Sequence, residues 1–95
     1  MKVNLATQVV EFVGSRAPQP RQRLRKALRE LEGEKGDIKS LHGRLDAYCR
    51  LRVGPYRVIF AYRIDETTRE IDVLFCEHRS LVYEAFTILA AQLRD

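Results

Sequence analysis

Two runs of alternating apolar and polar residues meet at Gly54-Pro55, and no other stretch of the chain constrains its fold as tightly. Upstream the sequence reads Tyr48-Cys49-Arg50-Leu51-Arg52-Val53. Downstream, Val58, Phe60, Tyr62 and Ile64 alternate with Arg57, Ile59, Ala61 and Arg63. A period of two belongs to a strand, whose successive side chains point to opposite faces, and the short Gly-Pro break between the runs makes them a β-hairpin. Tyr48, Arg50 and Arg52 then share one face while Cys49, Leu51 and Val53 share the other. A third run, Glu70 to Cys76, follows the turn Asp65-Glu66-Thr67-Thr68. Short links join antiparallel neighbours, so the strands Asp46 to Val53, Tyr56 to Ile64 and Glu70 to Cys76 are expected to form a meander.

The flanks read as helix. Lys2 to Leu5 is a short strand, and Thr7 is the expected N-cap of a helix carrying Val9, Val10, Phe12 and Val13 until Gly14, Pro18 and Pro20 stop it. From about Gln19, Leu24, Ala27, Leu28 and Leu31 recur at helical spacing until Gly33 and Gly36, which gives a helical hairpin. Asp37 to Leu45 reads as connection. Ser80 is the expected cap of a last helix with Val82, Phe86, Leu89 and Leu93 on one stripe. Helices, then strands, then a helix imply an α+β domain. The expected architecture is an antiparallel twisted sheet, the short N-terminal strand plus the meander, packed on one face against the helical hairpin and the C-terminal helix. Its other face is left open and basic. At 95 residues, 1–95 is one domain.

The net charge of +4 is unevenly spread. Leu41 to Arg63 holds five basic residues and one acid, while the rest of the chain sums to zero. Thirteen of the seventeen basic residues are arginine, whose planar fork of donors matches phosphate oxygens and stays charged at physiological pH. A nucleic acid backbone is the expected ligand. No run approaches the roughly 18 apolar residues needed to span a bilayer, so the expectation is a cytoplasmic protein without a membrane partner. Cys49 and Cys76 fall in strand interiors, which predicts free thiols with no disulfide, no zinc and no other cofactor.

Several phrases carry a resemblance. Leu41-His42-Gly43, Tyr48-Cys49-Arg50-Leu51-Arg52-Val53-Gly54, Tyr56-Arg57-Val58-Ile59-Phe60 and His78-Arg79-Ser80-Leu81-Val82-Tyr83 together resemble the RelE/ParE superfamily of toxins from toxin-antitoxin systems, and lean toward its RelE branch. The resemblance covers almost the whole chain. It implies a toxin that cleaves messenger RNA in the ribosomal A site, a metal-free endoribonuclease that stops translation, with the ribosome, mRNA and a cognate antitoxin as partners. Arg50 and Arg52 match the basic pair on the second strand of that family, Arg57 the arginine after the hairpin aromatic, and Tyr83 the tyrosine of the closing helix. Its best-studied members have lysines at the pair and an arginine where this chain has Glu77; Arg79, four residues before Tyr83, is the candidate stand-in. The same resemblance leaves open a ParE-like toxin acting on DNA gyrase and a degenerate homologue that only binds its antitoxin.

RNA cleavage of this kind needs the ribose 2′-hydroxyl to lose a proton and attack the adjacent phosphorus in line, with the extra phosphate charge held by fixed cations. Arg50, Arg52 and Arg57 suit the second task. Arginine does not deprotonate, so the candidates for proton transfer are Glu77, His78 and Tyr83. Arg44 and Arg63 in the basic stretch, and Arg23 and Lys26 in the cluster from Arg16 to Arg29, are further candidates for RNA contact, against the plainer reading of solvated polar faces.

Overall fold

A computed structural model describes residues 1–93. In chain order the elements are β1 (Lys2–Leu5), α1 (Thr7–Gly14), α2 (Pro18–Glu30), β2 (Asp37–Ser40), β3 (Cys49–Val53), β4 (Tyr56–Ile64), β5 (Arg69–His78) and α3 (Val82–Leu93), with short 3-10 turns at Leu31–Gly33 and Gly43–Leu45. The five strands form one sheet in the order β1-β5-β4-β3-β2. The meander is antiparallel throughout, but β1 runs parallel to β5, so the sheet is mixed rather than antiparallel. The cause is the helical pair between them: a chain that leaves β1, makes α1 and α2, and adds strands on the far side returns to β1 in the same direction.

The connection expected over Asp37 to Leu45 contains the strand β2. It is four residues of Asp-Ile-Lys-Ser, only Ile38 of which is even half-buried, and its order comes from pairing with β3 rather than from its own pattern. Gly36 precedes it with φ 126°, where a Cβ would lie 2.6 Å from Leu51 Cδ1, so the chain can enter β2 against β3 only through a glycine. Gly54, at φ 58°, opens the two-residue hairpin turn before Pro55, as a type II′ turn requires.

Two cores flank the sheet. On one face α1, α2 and the 3-10 turn that follows bury Val9, Val13, Leu24, Leu28 and Leu31 against Leu51, Val53, Val58, Phe60, Ile71, Val73 and Cys76. The Gln8 side-chain amide of α1 donates to the Cys76 carbonyl (2.8 Å) and its oxygen accepts the Cys76 N–H (2.9 Å), tying the helix to β5. Burial pushes the Cys76 thiol up to about 12, so it stays protonated and unreactive. The other face is not open. There α3 lays Val82, Phe86 and Ala90 over Ile59, joined by Leu41, Leu45, Tyr48, Leu74, Phe75 and Leu89. Ala90 takes the place expected of Leu93, which is 56% exposed. A bulge helps: Ile59 pairs with Phe75 and Phe60 with Val73, leaving Leu74 as the extra residue that packs beside Phe75 under α3. Neither expected cap forms. Ala6 occupies the N-cap of α1, and the Ser80 hydroxyl pairs with His78 Nδ1 (2.8 Å) instead of starting α3.

Three carboxylates sit below their ordinary value of 3.8: Asp37 through a hydrogen bond from Arg50, Asp65 through the backbone N–H groups of Thr67 and Thr68, and Asp72 through hydrogen bonds from Asn4 and Arg63. With the folded pKa depressed, their contribution to stability is complete above about pH 4 and is lost as pH falls through the folded values. Urea midpoints are therefore expected to hold from neutrality down to about pH 5 and to drop below pH 4, with a smaller drop in Asn4→Ala; a flat profile into strong acid would count against these contacts.

Candidate functional site

Register decides which charges meet. Asp37 of β2, Arg52 of β3, Arg57 of β4 and Glu77 of β5 are successive cross-strand partners, so a row of two arginines flanked by two carboxylates crosses the sheet. The next row begins with Lys39 beside Arg50 and continues into Ile59 and Phe75 under α3. Both rows lie on the face that carries α3, because their neighbours Leu51, Val53 and Val58 point into the α1 and α2 core.

The arginines here are held, not loose. Arg50 Nη1 donates to the Asp37 carbonyl (2.7 Å) and to Asp37 Oδ1 (3.0 Å), and the Arg50 side chain is only 15% exposed. Arg57 Nη1 donates to the carbonyls of Gly54 (2.8 Å) and Tyr56 (2.9 Å), so the hairpin turn anchors one edge of its guanidinium. The Arg79 N–H donates to the Pro55 carbonyl (2.8 Å), which ties the β5–α3 link to the same turn. Anchoring by backbone groups removes rotamer freedom before any ligand arrives, the condition for electrostatic stabilisation without reorganisation.

These groups surround one cavity of about 440 Å³, lined by Lys39, Ser40, Leu41, His42, Arg50, Arg57, Arg79 and Tyr83. Its size is that of a small-ligand site, roughly 300–1,000 Å³. Four of the expected residues meet there: Arg50, Arg57, Arg79 and Tyr83. Lys39 and His42 join them without having been singled out as site residues. Lys39 belongs to the strand that sequence patterning does not reveal, and His42 sits in the Leu-His-Gly phrase, where its neighbours Leu41 and Leu45 anchor it to the second core.

No family model matches the chain, and no curated protein does. Solved structures do. A chain of the archaeal RelE–RelB complex from Pyrococcus horikoshii OT3 superposes with a TM-score of 0.63 at 28% identity, over 82% of this chain and 93% of that one. The chain is a member of the RelE/ParE superfamily. A YoeB/ParE toxin from Agrobacterium tumefaciens matches with a TM-score of 0.66 at 15% identity, over 83% of this chain and 99% of that one. The RelB–RelE antitoxin–toxin complex from Methanococcus jannaschii matches with a TM-score of 0.60 at 24% identity, over 87% of this chain and 98% of its own.

In this RelE/ParE domain the remaining candidates lie elsewhere. Arg52, between Asp37 and Arg57 in its row, is exposed and lines a separate groove of about 260 Å³ with Arg23, Lys26 and Lys35. Arg63 is paired with Glu70 (3.1 Å) and Asp72 (3.0 Å) toward the far end of β4. Arg44 lines a small hollow with Leu45, Thr87, Ala90 and Ala91, against α3. Glu77 is half-buried opposite Arg57, and its Oε1 accepts the His78 N–H (2.9 Å). His78 is on the opposite face, 6.3 Å from the Tyr56 ring and bonded to Ser80. Neither Glu77 nor His78 lines the cavity. Among the described residues no cluster of three or more His, Cys, Asp and Glu side chains forms a metal site, and no helix is long and apolar enough to cross a membrane.

Proposed function

We propose that this chain is the toxin of a toxin-antitoxin pair and that it cleaves messenger RNA on the ribosome by attack of the ribose 2′-hydroxyl on the adjacent phosphate. The observation that carries this reading is the convergence of Lys39, Arg50, Arg57 and Arg79 with Tyr83 on one cavity. Four cations around a space of nucleotide size match a phosphate whose charge grows in the transition state. Asp37 offsets part of that charge and also orients Arg50 by holding its Nη1.

An antitoxin partner follows from kinship: the Pyrococcus and Methanococcus relatives were solved as complexes of RelE with RelB. An acidic antitoxin segment that folds on this domain would complement its +4 charge. The separate groove of Arg23, Lys26 and Arg52 is suited to a second stretch of RNA backbone.

The test is to induce the chain in cells and map new 5′ ends on translated messages. In-frame cuts at ribosome positions are the expected result. Growth arrest with intact messages and altered DNA supercoiling overturns the reading in favour of a gyrase poison, and no arrest at all in favour of a degenerate antitoxin-binding homologue.

A further inference from the structure

Cleavage by a 2′-hydroxyl needs one group to take the proton from that hydroxyl and another to give a proton to the departing 5′-oxygen, and arginine serves as neither. Glu77 and His78 do not reach the cavity, which leaves His42, Lys39 and Tyr83 as its proton-carrying side chains apart from arginine and Ser40. Sheet order sets where they stand. Lys39 and His42 belong to the β2 side, Arg79 and Tyr83 follow β5, and Arg50 and Arg57 on the two strands between form the floor. In-line displacement puts the attacking and leaving oxygens on opposite sides of phosphorus, so a phosphate held by the floor presents one oxygen to each side.

We propose that His42 is the catalytic base of this cavity and Tyr83 its acid, an assignment that rests on the nuclease reading above. A neutral imidazole nitrogen of His42 takes the 2′-hydroxyl proton while the 2′-oxygen lone pair forms the O2′–P bond. The P–O5′ bond breaks with its electron pair on the 5′-oxygen, which receives the phenolic proton of Tyr83. The products are a 2′,3′-cyclic phosphate and a 5′-hydroxyl, and proton exchange with water resets imidazolium and phenolate. Histidine suits the first role because an imidazole nitrogen without a proton is an acceptor, which neither arginine nor a charged lysine offers. His42 is placed for it by more than a loop. The Leu41 N–H donates to the Tyr48 carbonyl (3.0 Å), the Leu45 N–H donates to the His42 carbonyl (3.3 Å), and Leu41 and Leu45 are both packed in the core under α3. Its backbone is therefore fixed from both sides. Lys39, beside Arg50 in the register, adds charge to the phosphate clamp.

The experiment is single-turnover cleavage on message-programmed ribosomes across about pH 5.5 to 8.5, with normal RNA and with RNA whose scissile 5′-oxygen is replaced by sulfur, a leaving group that needs no acid. His42→Ala is expected to lose ~10²-fold or more in rate. It should also lose the acidic limb of the pH profile and gain nothing from the sulfur substitution. Tyr83→Phe should be slow on normal RNA and close to wild type on the sulfur substrate. His42→Gln, which keeps the size and polarity of the site, separates chemistry from folding: it should melt like wild type yet cleave as slowly as the alanine variant. A His42→Ala rate within threefold of wild type, or one rescued by sulfur, overturns the assignment while leaving the nuclease reading intact. A wild-type chain that leaves the message whole overturns both.

Discussion

Replacing Arg57 by alanine should reduce the cleavage rate ~10²- to 10³-fold, the cost of removing one preorganised donor from a developing phosphate charge. Arg57 is the residue whose loss should be felt most, because its guanidinium is already aimed. One nitrogen is held by the Gly54 and Tyr56 carbonyls, and the side chain lines the cavity between Arg50 and Arg79. Arg57→Lys keeps the charge but cannot anchor to two carbonyls and grip a phosphate edge at once, so it should recover only part of the rate. Neither change should unfold the domain: each forfeits two hydrogen bonds at a hairpin turn, about 1 kcal/mol or less apiece. Single-turnover cleavage on ribosomes, with far-UV circular dichroism and urea midpoints as the folding control, checks this. A rate for Arg57→Ala within threefold of wild type would remove Arg57 from the phosphate clamp.

The second large effect is structural and reaches the site through α3. Phe86 is fully buried, edge-on to Tyr48 with ring centroids 4.9 Å apart and tilted against Phe75 at 6.0 Å. It is the main side chain pressing α3 onto the sheet. Phe86→Ala should cost about 3–5 kcal/mol, from lost transfer energy and the cavity left behind. Domains of this size have about 5–15 kcal/mol in total, so a large part of their stability would go. The variant should unfold at much lower urea and, at temperatures where it is still folded, lose activity because Tyr83 and Arg79 are carried by the same helix and the link before it. Ile88→Ala, on the solvent side of α3 at 62% exposure, should stay within about 0.5 kcal/mol of wild type. A Phe86→Ala loss below about 1 kcal/mol would mean that α3 does not hold this face of the sheet.

That α3 covers the face expected to be open had a trace in the sequence. Val58-Ile59-Phe60 and Leu74-Phe75-Cys76 are consecutive apolar residues, and unbroken apolar runs mark strands buried on both faces, whereas strict alternation marks one-sided burial. All three residues of the first run are fully buried, Ile59 under α3 and its neighbours under α1 and α2. The parallel pairing of β1 had no such trace, because four residues carry no sign of direction. Nor did β2, whose Asp37 and Lys39 read as loop until β3 supplies the hydrogen-bonding edge.

The site divides along the same line. Arg50 and Arg57 were legible in the alternation of the hairpin, whereas Arg79 and Tyr83 came only from the resemblance carried by His78-Arg79-Ser80-Leu81-Val82-Tyr83. Arg52 shares a strand face with Arg50, yet its side chain lines the separate groove with Arg23, Lys26 and Lys35 while its cross-strand partner Arg57 lines the cavity. His78 points to the opposite face from Glu77 for the reason that separates any adjacent strand residues, and so it meets Tyr56 rather than Arg57.

From the sequence alone came the meander, its turn, the helical segments and the arginine-bearing face, since all of these follow from periods of two and 3.6 and from glycine and proline punctuation, which act over a few residues. Which face α3 covers, that β1 lies parallel to β5, and that Lys39 and His42 stand beside Arg57, Arg79 and Tyr83 were decided by tertiary structure. These are contacts between residues far apart in the chain, set by register and by competition for the two faces of one sheet, and no local pattern encodes them.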